Sequence, residues 1–216
     1  MSLWSSFLNH RGHAVFKWTH YFPIYEQHLA RFRNRPGVVL WEIGVGQGGS
    51  LQLWKEYLGP FVQVVGIDIV DRREVEEDQI AVRVGNQGDV GFLRGVVDEF
   101  GPPDVVIDDG SHVMDDVIGT FCFLYPCMSP IGCYMVEDLH TAYWEQYQGG
   151  LKRLGTFIEF TKDLIDELNA ETSVALAPTE FSRSTLSMHF YDSVVVFERG
   201  HPRKTTLQTG TPLGEP

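Results

Sequence analysis

Glu42-Ile43-Gly44-Val45-Gly46-Gln47-Gly48-Gly49-Ser50 is the stretch that decides the fold. Upstream, residues 38–43 are an apolar run of strand length. Downstream, residues 51–58 have helical spacing and stop at Gly59-Pro60. Gly44, Gly46 and Gly49 therefore form a G-x-G-x-x-G turn between a strand and a helix. Such a turn lets backbone approach a ligand closely and aims helix N–H groups at it. By itself the pattern fits either a nicotinamide dinucleotide or S-adenosylmethionine. Asp68, near the end of the next apolar run, can take the ribose hydroxyls of both. Glu42 discriminates. A carboxylate at that strand end crowds a pyrophosphate, but it suits a ligand with a cationic amino acid end and no phosphates.

Outward from this turn the chain alternates between two periods. Residues 61–69, 80–84, 104–107 and 132–136 read as strands, and 90–100 and 113–128 as helices. Residues 22–32 read as a helix ended by Asn34-Arg35-Pro36-Gly37, and 151–168 as a long amphipathic helix. Residues 186–190 and 193–197 read as an antiparallel pair. The expected fold class is α/β: one Rossmann-like domain with a mostly parallel seven-stranded sheet and a C-terminal antiparallel pair. Residues 1–36 form an N-terminal helical and aromatic segment, 37–198 the cofactor-binding domain, and 199–216 a polar tail expected to be disordered.

In such sheets ligands bind beyond the carboxyl ends of the strands. Three further clusters fall there. Asn86 and Gln87 follow the third strand, where amides can meet an adenine edge. Asp89 beside them reads equally as a helix-start acid. Asp108-Asp109-Gly110-Ser111-His112 ends the fourth strand, and Glu137-Asp138-Leu139-His140 the fifth. Acids packed on adjacent strand ends repel unless a cation neutralises them. All-oxygen ligands suit a hard ion, and few carboxylates plus waters suit Mg2+. A metal-bound hydroxyl has a lowered pKa, and a histidine can take its proton. The expected metal ligands are Asp109, Glu137 and Asp138, and the expected base is His112, with His140 as a possible accessory. The expected cofactor contacts are Glu42, Gly44, Gly46, Ser50, Asp68, Asn86, Gln87, Asp108 and Tyr21. Asp115 and Asp116 read as first-turn helix acids. Trp18, Tyr21, Phe22, Tyr25, Tyr143, Trp144 and Tyr147 either cover the ligands or belong to the core.

Composition limits the partners. The 216 residues suffice for one well-buried core. A formal net charge of -12 repels phosphate backbones and anionic lipid, so nucleic acid and membrane surfaces are not expected partners. No apolar run approaches bilayer length, and residues 1–13 have no apolar core of signal-peptide length. Cys122, Cys127 and Cys133 form neither an even framework nor a metal spacing, and they read as reduced core residues. The cytoplasm is the expected compartment.

Four motifs together carry a resemblance: Lys17-Trp18-Thr19-His20-Tyr21-Phe22-Pro23-Ile24-Tyr25, Glu42-Ile43-Gly44-Val45 with Gly48-Gly49-Ser50-Leu51, the Asp108–His112 run, and Val136-Glu137-Asp138-Leu139-His140-Thr141. Over residues 17–143 the chain resembles the metal-dependent sugar O-methyltransferases of natural-product pathways. These are class I methyltransferases that include mycinamicin-type macrolide deoxysugar enzymes and rhamnosyl enzymes. The resemblance implies Mg2+ at the positions matching Asp109, Glu137 and Asp138, and a catalytic histidine at His112. It departs at Asn86, where relatives usually have aspartate, and in the large N-terminal domain of the macrolide enzyme. The expected activity is methylation of a rhamnose-like vicinal diol on a small-molecule glycoside or glycolipid. A homo-oligomer is expected to complete the acceptor lid. A non-sugar diol acceptor, a catalytically silent cofactor-binding scaffold and a nicotinamide-dependent dehydrogenase are the alternatives.

Overall fold

Five short apolar runs pair in parallel: β1 (Val39–Ile43), β2 (Gln63–Asp68), β3 (Ile80–Val84), β4 (Val105–Asp108) and β5 (Cys133–Val136). An antiparallel pair, β6 (Thr185–Tyr191) and β7 (Val194–Arg199), completes the sheet in the order β3-β2-β1-β4-β5-β7-β6. The computed structural model describes residues 2–200. Strand order reverses between β1 and β4, and such a reversal opens a crevice at the carboxyl ends of the two strands.

Alternation along the strands divides the core into two layers. Leu40, Val64, Val105, Ile107 and Met135 face one side, together with Tyr25, Leu29, Phe32 and Trp54. That layer holds α1 (Leu3–Asn9), α2 (Phe22–Leu29) and α3 (Gly49–Leu58). Trp41, Val65, Val106, Tyr134 and Val195 face the other side. There they meet α4 (Val90–Phe100), α5 (Met114–Cys127) and α6 (Phe157–Leu168). A short α7 (Glu180–Ser184) leads into β6. Glu42 shares the pleat parity of Leu40, so its carboxylate points toward the layer formed by the N-terminal segment.

Several boundaries differ from expectation for identifiable reasons. Helix α2 ends at Leu29 and tightens into a 3-10 turn, Ala30–Phe32. The long helix begins only at Phe157, capped by the Thr156 hydroxyl accepting from Glu159 N. Before it, Lys152 and Gly155 have positive φ, and Leu151 and Leu154 are exposed, so their helix-like spacing packs against nothing. Helix α1 was not expected. Its Trp4 and Phe7 rings close on Phe22, so tertiary contact compensates for its shortness. Cys133 is buried as expected, but Cys122 is exposed on α5 and Cys127 only part-buried. Arg199 belongs to β7 and Gly200 N donates to Ser184 O, so the first two residues of the expected tail are part of the fold. Residues 201–216 lie outside the described residues. Among the described residues, no helix is long and apolar enough to cross a membrane.

Candidate active site

The glycine turn sits against the end of β4. Gly44 has φ +90, and a Cβ there would lie 2.0 Å from the Asp109 carbonyl oxygen. A side chain is therefore excluded on both conformational and steric grounds. Gly46, at φ +56, has no neighbour within 4 Å of its Cβ position and opens onto a cleft. Asp68 holds the turn: its Oδ2 accepts from Val45 N at 2.9 Å and Gly46 N at 3.3 Å. Glu42 is wholly buried, and its Oε2 accepts from the Ser50 hydroxyl at 2.6 Å. Its Oε1 takes no hydrogen bond and faces Lys17 Nζ at 3.0 Å. Burial raises the Glu42 pKa, against the pull of Lys17.

Three clefts run along this rim. The first, about 200 Å3, is lined by Ile67, Asp68, Ile69, Asn86, Gln87 and Ser111. The second, about 300 Å3, is lined by Phe16, Lys17, Gly46, Ser50, Asp68 and Asp109. The third, about 390 Å3, is lined by Phe16, Lys17, Trp18, Tyr21, Glu137 and Asp138. Asp68 and Gly110 belong to the first two, and Lys17 and Asp109 to the last two, so the clefts form a continuous groove. The open cradle at Gly46 and the buried Glu42 carboxylate, whose Oε1 already faces a cation in Lys17, fit a cofactor that carries a cationic amino acid end.

The acids divide around two partners. His112 Nε2 lies 3.9 Å from Asp109 Oδ1 and 4.0 Å from Asp138 Oδ2. One ligand atom from each of these residues falls within 4.8 Å of the others; the two carboxylates offer a hard divalent ion oxygen ligands, with the His112 nitrogen beside them. His112 and Asp138 are both left-handed, at φ +58 and +52. Non-glycine residues held there cost of order 1–3 kcal/mol each and concentrate at functional sites. Glu137 turns elsewhere: its Oε1 accepts from Tyr25 OH at 2.6 Å and its Oε2 from Lys17 Nζ at 2.9 Å. Lys17 Nζ also donates to Asp109 Oδ2 at 2.7 Å. Burial by itself would lower the Lys17 pKa, but Asp109, Glu137, Tyr25 and Glu42 around it raise it well above its ordinary value. Burial pushes the Glu137 carboxyl upward, opposed by Lys17.

Other expected contacts lie at varying distances from the groove. Tyr21 donates to Asp138 Oδ1 at 2.7 Å, so it touches the acid cluster rather than the glycine turn. Asp108 is buried behind the rim, where Gln87 Nε2 donates at 3.1 Å and Tyr134 OH at 3.3 Å. Gln87 lines the first cleft, but its Oε1 is taken by Ser111 N at 2.6 Å. The Asn86 side chain accepts from Gly88 N in the same cleft. Asp89 caps α4. His140 pairs with Ser193 Oγ at 3.0 Å, away from the acids. Tyr21, Phe22 and Tyr25 are core, whereas Trp18, Tyr143 and Trp144 are exposed. Lys17 received no role from sequence. Its signals were a lone cation in the run Val15-Phe16-Lys17-Trp18 and its place at the head of the first motif of the family resemblance.

Asp108 gives a pH test. Burial raises its pKa to about 7, above the unfolded value of about 3.9. The folded chain therefore binds more protons between these values. The Asp108 contribution to stability is full below the unfolded value and is lost as pH rises toward 7. Asp108→Asn should flatten the fall in denaturation midpoint between about pH 4 and 7. Equal slopes in both proteins would refute this assignment.

No family model matches the chain. It is 38% identical over 211 residues to the 8-demethyl-8-(2-methoxy-alpha-L-rhamnosyl)-tetracenomycin-C 3'-O-methyltransferase of Streptomyces olivaceus, covering 90% of this chain and 54% of that protein. It is 35% identical over 211 residues to the mycinamicin VI 2''-O-methyltransferase of Micromonospora griseorubida, covering 91% and 52%. The crystal structure of the MycE methyltransferase with Mg, SAH and mycinamycin VI superposes with a TM-score of 0.82 at 33% identity, covering 98% of this chain and 56% of that one. The chain thus spans about half the length of the curated relatives it matches. By sequence over nine-tenths of its length, and by fold, it belongs to the sugar O-methyltransferase family of natural-product pathways.

Proposed function

We propose that the chain carries out S-adenosylmethionine-dependent, Mg2+-assisted O-methylation of a rhamnose-like vicinal diol on a glycosylated natural product. One observation carries this reading: Asp109, His112 and Asp138 converge on the rim beside the cleft lined by Gly46 and Ser50. The rhamnosyl 2'- and 3'-O-methyltransferase activities of two relatives support a sugar acceptor. Glu42 takes the cofactor's amino group, Gly44, Gly46 and Ser50 shape its cradle, and Asp68 takes its ribose hydroxyls. Asn86 and Gln87 flank the adenine. Asp109, Glu137 and Asp138 hold the ion. A divalent ion there lowers the pKa of a hydroxyl and fixes its orientation.

His112 takes the hydroxyl proton at Nε2. Glu42 and Asp109, on the neighbouring rims of β1 and β4, align the two reactants, and an in-line displacement gains most from alignment. Trp18, Tyr143 and Trp144 offer exposed faces to the acceptor. Incubation with S-adenosylmethionine and rhamnosylated acceptors should give a methylated glycoside. EDTA should abolish the product and Mg2+ restore it. Activity that survives complete metal removal overturns metal assistance. Methylation of aromatic diols but not glycosides transfers the reading to a non-sugar acceptor.

A further inference from the structure

Among the described residues, Lys17 is the one cation that touches both halves of the groove. Its side chain is 3% exposed, and its ammonium contacts Glu42 in the cofactor half and Asp109 and Glu137 in the acid half. It is delivered by an irregular strap, residues 10–18, that crosses the N-terminus of α3. The strap is pinned upstream of Lys17: His13 N donates to Gln52 Oε1 at 2.8 Å, and a Cβ on Gly49 would lie 2.3 Å from Ala14 O. On either side of Lys17, Phe16 and Trp18 are exposed, so the long lysine stem lies next to solvent and can swing outward while the strap stays seated.

We infer that Lys17 is a resident counter-ion that couples cofactor binding to metal binding. This rests on the proposed cofactor and metal halves of the groove. A cationic amino group arriving at Glu42 takes over a carboxylate that Lys17 holds. A divalent ion arriving at Asp109 and Glu137 takes over the other two. Either arrival repels the ammonium, and both require the same displacement. The first ligand therefore bears the cost of moving Lys17, and the second binds to a site already cleared. That is positive heterotropic coupling, and thermodynamics makes it reciprocal. Lys17 is accordingly a positioning residue whose effect lies in the linkage between ligands.

The test is calorimetric titration of S-adenosylhomocysteine into the whole chain, with and without saturating MgCl2, and of MgCl2 with and without S-adenosylhomocysteine. In the wild type each ligand should tighten the other by the same factor, about 5-fold or more. In Lys17→Met each ligand should bind the otherwise empty protein more tightly than in the wild type, and the mutual factor should fall to about one. Lys17→Arg keeps the charge and should retain coupling. A structural role alone would weaken both ligands in Lys17→Met without removing the mutual factor, and that result overturns the inference. So does a wild-type factor of one or below, which needs no variant and stands even if Lys17→Met fails to fold. If neither ligand binds the wild type, the methyltransferase reading itself fails. If both bind independently, only the coupling fails.

Discussion

Replacement of His112 by alanine should lower kcat by about 10^2–10^4-fold, the usual contribution of a positioned general base. The affinity for S-adenosylhomocysteine should stay unchanged, because His112 lines neither the cleft at Gly46 nor the one at Asn86. The imidazole is 20% exposed, with Nε2 held between Asp109 Oδ1 and Asp138 Oδ2. The Tyr147 ring stands edge-on 6.2 Å away. Reciprocal hydrogen bonds between Gln148 and Asp115 tie that turn to α5. The left-handed backbone at His112 complicates any substitution, since alanine tolerates φ +58 poorly. His112→Asn separates the effects, because asparagine accepts that conformation readily. Both variants should lose rate alike, and added imidazole should partly restore His112→Ala. Full turnover in the alanine variant removes His112 as the base. Loss in alanine with retention in asparagine assigns the effect to the backbone.

Strands β1, β2, β4 and β5 were legible in sequence because their centres are buried on both faces and so read as nearly continuous apolar runs, whereas the edge strand β3 carries Arg83 and an exposed Val84. The placement of the candidate site was legible where residues sit just beyond strand ends: Asp109, His112 and Asp138 come together there, and Asp68 meets the glycine turn. It was not legible where contact depends on distant chain. Lys17 meets Asp109 and Glu137 across 92 and 120 residues, and nothing local in Val15–Trp18 announces a carboxylate partner. The adjacent acids Glu137 and Asp138 looked equivalent in sequence. In the fold Glu137 is buried against Tyr25 and Lys17, while Asp138, left-handed at φ +52, meets His112 and Tyr21. Backbone handedness at a single non-glycine residue separates their surroundings, and residue type does not encode it. Helix boundaries failed for the related reason that Leu151 and Leu154 repeat a helical spacing without a surface to bury it.

Trp54→Ala should be the most destabilising single change near the site, by about 3–5 kcal/mol. Trp54 is fully buried on α3. Its ring meets Tyr25 edge-on at 4.9 Å, and Tyr25 OH is the donor to Glu137. The indole Nε1 has no hydrogen-bond partner, so truncation loses packing and leaves no polar atom newly stranded. The loss therefore reduces to transfer and cavity terms. In a chain of this size it lowers the melting temperature by about 6–20 °C. It also removes a large part of a total stability of about 5–15 kcal/mol. Trp54→Phe keeps an aromatic face toward Tyr25 and should fall less than half as far. The cavity also frees the Tyr25 ring, whose hydroxyl fixes Glu137. Folded Trp54→Ala should therefore bind Mg2+ more weakly than the wild type at temperatures well below its transition, whereas Trp54→Phe should not. A thermal scan with unchanged midpoint would show that α3 is not anchored through this residue. A lowered midpoint with unaltered Mg2+ affinity would break the link between this packing and the acid cluster.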